Sequence, residues 1–228
     1  MITAIATRQG TDRNNADASA VFTTETGTTA ACVVDMIGHA DTAPDVGLLC
    51  AETAVRIGAQ RGALAGLVSA AALVADPGDR DEPEPSGVAV LAIASEGEDT
   101  HLAWVGDCRA YSWTGTELRA RTTPHSMGEF LRWNQDTDLA PQHDNWVRTD
   151  LAGTTPTTVA LATAPAGELV LLLSDGVDDQ VPPAVMARLV REHHADPQAL
   201  ATALVEAAQD QPSGDRDDAT CVVLSITG

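Results

Sequence analysis

Strand-like and helix-like segments come in blocks along this 228-residue chain, not in alternation. Residues 2–7 read as a first strand. Residues 18–24 and 28–34 read as a hairpin turning at Glu25-Thr26-Gly27. Apolar positions then take up helical spacing at Val46, Leu49, Cys50, Thr53, Ala54 and Ile57. After Arg61-Gly62 they do so again at Leu64, Leu67, Val68 and Ala71, which predicts an antiparallel helix pair. Short strands return at 88–94, 101–105, 109–113 and 117–121. A short helix is predicted over 126–133, with Ser126 as its cap and Glu129 three residues on. Residues 134–156 are polar and irregular and are expected to form a mobile surface segment. A strongly apolar strand over 168–173 precedes two more helix faces, one carrying Val185, Met186, Leu189 and Val190, the other Leu200, Ala203, Leu204 and Ala207. The last strand spans 219–226. This order predicts an α+β protein with antiparallel sheets and excludes a doubly wound parallel sheet.

No linker divides the chain, so residues 1–228 are expected to form one domain; the acidic, proline-bearing stretch at 76–86 reads as an exposed loop within it. Apolar residues make up 44% of the chain and aromatic ones 3%, so the core must be built from Ala, Val, Leu and Ile. With 33 Asp and Glu against 13 Lys and Arg, the formal charge is −20, which repels nucleic acid and anionic lipid and suits cations and basic partners. Cys32, Cys50, Cys108 and Cys221 form no CxxC pair and are expected to be reduced, buried thiols of a cytoplasmic protein. No signal peptide and no membrane-length apolar run is present in the sequence.

Aspartates stand where apolar strands begin or end: Val33-Val34-Asp35, Leu172-Leu173-Ser174-Asp175-Gly176, and Asp217-Asp218 before Ala219-Thr220-Cys221-Val222-Val223. Taken one at a time, such aspartates are most often turn residues or caps. Converging, they would repel one another unless a cation sat among them, and hard divalent ions such as Mg²⁺ and Mn²⁺ take all-oxygen ligands.

In order along almost the whole chain, these segments resemble the motifs of the PP2C (PPM) family of metal-dependent Ser/Thr protein phosphatases. Arg13-Asn14-Asn15-Ala16-Asp17 is similar to that family's opening Arg-x-x-Asn-Glu-Asp segment. Val33-Val34-Asp35-Met36-Ile37-Gly38-His39 is similar to Val-x-Asp-Gly-Met-Gly-Gly-His, and Ser86-Gly87-Val88-Ala89 to a Gly-Thr-Thr/Ser-Ala strand start. Trp104-Val105-Gly106-Asp107-Cys108-Arg109-Ala110-Tyr111 resembles Asn-Val-Gly-Asp-Ser-Arg-Ala-Tyr, the most distinctive stretch. Thr122-Thr123-Pro124-His125-Ser126 resembles Leu-Thr-x-Asp-His-Ser. Leu172 to Asp179 resembles Leu-x-Ser-Asp-Gly-Leu-x-Asp, and Arg216 to Val223 resembles x-Asp-Asn-Ile-Thr-Val-Val-Val.

The resemblance implies a four-layer α-β-β-α sandwich of two mainly antiparallel sheets flanked by helices. It implies hydrolysis of phosphoserine and phosphothreonine in proteins by a water held on a pair of Mg²⁺ or Mn²⁺ ions, without a covalent phosphoenzyme. Carried over by position, Asp35 would bridge the two metals, the Met36 carbonyl would stand where a glycine carbonyl binds one, and Asp175 and Asp217 would complete the shell. Asp107 and Asp179 match positions of a third, weaker metal, and Arg13 matches the substrate-phosphate arginine. Partners would be phosphorylated proteins, including a Ser/Thr kinase or its targets.

The pattern breaks at several places. Ala16 replaces a glutamate that supports metal-bound waters. Met36 replaces a glycine where backbone geometry matters. Gly38-His39-Ala40 alters the Gly-Gly-His tail, Pro124 replaces an aspartate, and Asp218 replaces an asparagine and adds negative charge. A regulatory or binding module that keeps the fold and has lost catalysis is therefore the alternative expectation. His39 and His125 read as surface histidines, His193-His194 as helix-end residues, and Trp104 and Trp113 as packing residues.

Overall fold

The computed structural model describes residues 1–11, 14–37, 41–75, 85–210 and 214–226. Ten strands form two five-stranded antiparallel sheets. One sheet holds β1 (Ile2–Arg8), β10 (Ala219–Ser225), β9 (Leu169–Leu173), β6 (Arg109–Trp113) and β7 (Leu118–Ala120), in that order. The other holds β2 (Asp17–Thr23), β3 (Thr29–Ile37), β4 (Ser86–Ala94), β5 (Thr100–Val105) and β8 (Ala160–Ala164). Helices α1 (Ala43–Arg61) and α2 (Ala63–Ala71) cover the second sheet; α5 (Pro183–His193) and α6 (Pro197–Glu206) cover the first. The result is the expected α-β-β-α sandwich. Among the described residues no helix is long and apolar enough to cross a membrane.

The two-residue period of the strands sorts the core into layers. Along β3, Cys32, Val34 and Met36 face the helices, whereas Ala31 and Val33 face the opposite sheet. In β4, Ala89, Leu91 and Ile93 point to the helices and Val88, Val90 and Ala92 to the other sheet. In the first sheet Val170, Leu172, Val222 and Leu224 fill the space between sheets, while Leu171, Leu173, Cys221 and Val223 lie under α5 and α6. Both faces of each sheet are thus covered, which is why the central strands read as unbroken apolar runs without being parallel. All four cysteines are buried and free, as expected.

Three expectations need correction. The apolar spacing read along α1 holds in part: Cys50 and Ala54 are buried, but Leu49 is 52% exposed, and Leu64 on α2 is also exposed. The buried face of α1 runs through Gly47, Cys50, Ala51, Ala54, Val55 and Gly58. Side chains from the sheet already fill the gap, so only small residues fit there. A Cβ on Gly58 would stand 2.9 Å from Ile93 Cδ1, and one on Gly47 2.9 Å from Met36 Cγ. Next, residues 134–156 are not loose. They carry a 3₁₀ turn at Ala140–His143, a bridge between Ser126 and Val147, and the fully buried Ala140 and Leu151. The Leu151 amide donates to the Gly87 carbonyl at 2.7 Å, and Arg132 of α3 (Met127–Trp133) grips both oxygens of Asp144 at 2.6 and 2.7 Å. Finally, β8 was not expected, because an alanine-rich edge segment carries little strand signal. The stretch 76–84 lies outside the described residues.

Candidate metal centre

The site forms where the two sheets meet at one end. β3 does not stop at Asp35 but continues to Ile37. Alternation from Val33 turns Asp35 toward the facing sheet, and the hairpin register sets Asp17 of β2 directly opposite it. Asp175 opens α4 (Asp175–Asp178), a single turn that starts two residues beyond β9. Asp217 and Asp218 lie just before β10, and Asp107 follows Gly106 in the turn between β5 and β6. Gly106 has φ +86°, and a Cβ there would lie 2.0 Å from Val88 Cγ1, so the turn admits no side chain.

Asp35, Asp107, Asp175 and Asp217 line one open cavity of about 1110 Å³ together with Met36 and Asp218. A smaller neighbouring cavity, of about 470 Å³, shares Asp107 and Asp175 and adds Arg109, Asp178 and Asp179. The residues carried over from the family therefore fall around two adjoining spaces. Arg13, Gly38 and His39 lie outside the described residues.

Burial is the main force on these carboxyls. It raises Asp35, and the charges of Asp17 and Asp107 raise it further, while a hydrogen bond with Asp175 works the other way. Asp175 is raised by burial and then by Asp35 and Asp217. Burial also raises Asp107, against the pull of its own backbone hydrogen bond and Arg109. Asp179 is pushed up to about 6 by burial, then by Asp178 and Asp107. Arg109 is committed elsewhere: it bonds Asp178 at 3.3 Å and the Thr122 carbonyl at 3.0 Å, and Tyr111 donates to the other Asp178 oxygen at 2.6 Å.

Asp17 closes the first motif but was given no role there. Ser174 Oγ donates to its Oδ2 at 2.7 Å and accepts from the Thr220 amide at 2.9 Å, so the carboxylate links the two sheets. Its Oδ1 is buried without a hydrogen-bond partner, and burial raises its pKa well above the usual range. A signal for it was present: in a hairpin turning at Thr26, position 17 falls opposite position 35.

Two departures from the family pattern take on definite roles. Asp218 is spent on the chain itself: its two oxygens accept the amides of Gly10 and Ala16, each at 2.7 Å. Its charge is therefore tied to the backbone of Gly10 and Ala16. Met36 sits in ordinary strand geometry; among the described residues Gln135 is the one non-glycine with positive φ. Its side chain turns away from the carboxylates into the helix-facing layer, where Gly47 and Gly87 leave room for it.

The histidine expectation also shifts. His125 is half-buried, its Nδ1 accepts the Gly106 amide at 3.3 Å, and its ring lies 5.9 Å from that of Trp104. Burial and then the charge of Arg148 lower its pKa. Trp104 and Trp113 are buried packing residues, as expected. His194 caps the end of α5, with Nδ1 3.0 Å from the Arg191 carbonyl.

Among the described residues, no three Asp, Glu, His or Cys side chains come together closely enough to hold a metal ion as they stand. The chemistry of the donors nevertheless fits a hard divalent cation. They are all oxygen and mutually repelling, and the neighbouring Asp17 adds an orphaned carboxylate atom.

No protein-family model and no curated protein matches the sequence. Solved structures do match. The PPM Ser-Thr phosphatase MsPP from Mycobacterium smegmatis, solved in complex with cacodylate, is 22% identical with TM-score 0.76, over 100% of this chain and 99% of that one. The serine/threonine phosphatase Stp1 from Staphylococcus aureus is 18% identical with TM-score 0.76, over 99% and 95%. PppA, described as a key regulatory component of T6SS in Pseudomonas aeruginosa, is 24% identical with TM-score 0.76, over 97% and 96%. With both sheets, their flanking helices and nearly the full length of each chain in common, this chain has the fold of the bacterial PPM (PP2C) Ser/Thr phosphatases.

Proposed function

We propose that the protein is a divalent-metal-dependent phosphatase acting on phosphoserine and phosphothreonine in proteins. The observation that carries this reading is the meeting of Asp35, Asp107, Asp175 and Asp217 at one cavity, at the place where the two sheets converge. In this reading Asp35, Asp175, Asp217 and the Met36 carbonyl hold two Mg²⁺ or Mn²⁺ ions, and Asp107 with Asp179 holds a weaker third. The bound ions would supply Lewis-acid polarisation of phosphoryl oxygens and a lowered pKa for water. The chain's own part is positional. The Ser174 hydroxyl fixes Asp17 behind Asp35. The Arg109–Asp178–Tyr111 contacts fix the turn that carries Asp175 and Asp179. The Asp218 carboxylate fixes the loop that leads into β2. Phosphorylated proteins, among them a Ser/Thr kinase or its targets, are the proposed substrates, met in the cytoplasm.

The test is hydrolysis of p-nitrophenyl phosphate and of a phosphothreonine peptide with Mn²⁺, with EDTA, and with Asp35→Ala. Metal-dependent turnover lost in Asp35→Ala supports the enzyme. A regulatory module without catalysis is favoured by Ala16 and Met36 and by the absence, among the described residues, of a formed ligand cluster. Calorimetric titration separates the two: tight uptake of two ions sinks the module, and folded protein that takes up none sinks the enzyme.

A further inference from the structure

Asp107 lines both cavities, and it sits on a turn that no sheet holds. Val105 of β5 still pairs with Ala89, and Arg109 of β6 already pairs with Leu173, so Gly106, Asp107 and Cys108 lie between the two ladders. Their backbone groups must find partners elsewhere. The hydrogen bond that acts on the Asp107 carboxyl comes from its own backbone, so the carboxyl goes where the turn goes. We propose that His125 is the positioning residue for Asp107, acting through the Gly106 peptide groups. The inference rests on the phosphatase reading for what Asp107 does once it is placed.

His125 takes both hydrogen-bonding groups of Gly106. Its amide donates to the Gly106 carbonyl at 2.8 Å, and its Nδ1 accepts the Gly106 amide at 3.3 Å. Val88 closes another approach to Gly106, where a Cβ would lie 2.0 Å from Val88 Cγ1. The clamp is itself anchored on two sides. The His125 ring lies 5.9 Å from that of Trp104 on β5, whose Nε1 donates to the Thr123 carbonyl at 2.8 Å. The His125 carbonyl accepts the Arg148 amide at 2.8 Å, which ties the clamp to the ordered 134–156 segment. Capping of α3 falls to Ser126, so the imidazole has no part in starting that helix. An imidazole that accepts at Nδ1 carries its ring proton on Nε2. The role therefore needs a lone pair at one position of the ring, not merely a ring-sized side chain. Asparagine sets an acceptor oxygen one bond beyond Cγ, where Nδ1 stands, whereas glutamine reaches further, toward the place of Nε2.

The experiment compares the full chain with His125→Asn, His125→Gln and His125→Ala. Amide hydrogen exchange at Gly106 and Asp107 is measured in EDTA, with the amides of α6 as the reference for overall stability. Uptake of Mn²⁺ is titrated calorimetrically. Loss of one hydrogen bond shifts an equilibrium by roughly 3- to 10-fold. His125→Gln and His125→Ala are expected to speed exchange at Gly106 by that factor relative to α6, and to weaken the weakest Mn²⁺ step by a similar factor. His125→Asn should keep both within about twofold of the wild type. Equal behaviour of the three variants overturns the proposal, and so does faster exchange at Gly106 with Mn²⁺ uptake unchanged. A wild type that takes up no Mn²⁺ removes the phosphatase reading, and the exchange comparison alone then decides the clamp. Should the variants differ as expected in a protein that binds Mn²⁺ and hydrolyses nothing, His125 keeps its role and the phosphatase reading falls.

Discussion

At the scale of single residues the site is held together against its own charge. Asp35 and Asp175 stand together, half-buried, and desolvation more than any neighbouring charge raises both. Replacing Asp175 by Asn removes one repelling charge while keeping its size. Asp175→Asn is therefore expected to abolish turnover and also to raise the melting temperature of the metal-free protein by a few degrees, read by thermal denaturation in EDTA. The same physics sets a pH dependence. A carboxyl whose pKa is raised on folding favours the folded state wherever it is protonated. The stabilisation is present in full below the unfolded value of about 4. For Asp179 it is lost as pH rises through about 6. Metal-free protein should accordingly melt higher near pH ~5 than near pH ~7.5, and saturating Mg²⁺ should shrink the difference. A flat profile in EDTA would contradict the buried-carboxylate account. Asp35, Asp175 and Asp217 were legible because each borders a long apolar run, and Asp107 because its segment resembles a family motif. Asp17 was less so, since its meaning comes from pairing across a hairpin and from Ser174, 157 residues away.

At the scale of elements, closeness decides the packing. Gly87 of β4 stands opposite Met36, and a Cβ there would lie 2.5 Å from the Asp35 carbonyl and 3.0 Å from Met36 Sδ. Gly87→Ala is expected to cost about 1–3 kcal/mol by overpacking. Met36→Ala leaves the same notch empty and is expected to cost about 2–5 kcal/mol. Chemical denaturation measures both, and equal stability of all three proteins would show that Met36 does not fill the layer. The strands and helices were largely readable, because antiparallel sheets buried on both faces still give long apolar runs bounded by turns. The helix rotation was not. Spacing grouped Leu49 with Cys50 and Ala54, whereas the distance between α1 and the sheet buried the two small residues and left Leu49 outside. Nor did polarity betray the 134–156 segment, whose order comes from contacts with β4 and α3.

At the scale of the whole molecule a charge of −20 acts on stability and on association alike. Long-range repulsion of this kind is screened over a Debye length of about 10 Å at ~0.1 M salt. Metal-free protein should therefore gain several degrees in melting temperature between low salt and ~0.5 M NaCl. A smaller gain in saturating Mg²⁺ would mark the share that belongs to the site itself.

The order of strands in the two sheets also sets a calendar. β2, β3, β4, β5 and β8 span Asp17–Ala164 and can pair with one another before the C-terminal part of the chain is made. β1 has β10 as its one partner in the sheet among the described residues, and every other strand described lies between them in sequence. The tether from Gly10 and Ala16 to Asp218 closes over the same span, 208 and 202 residues. β1 cannot find its neighbour until the segment that forms β10 has been made, and until then it waits unpaired. Pairings of such long reach are slow to form, so the competence of this site arrives as the final act of folding.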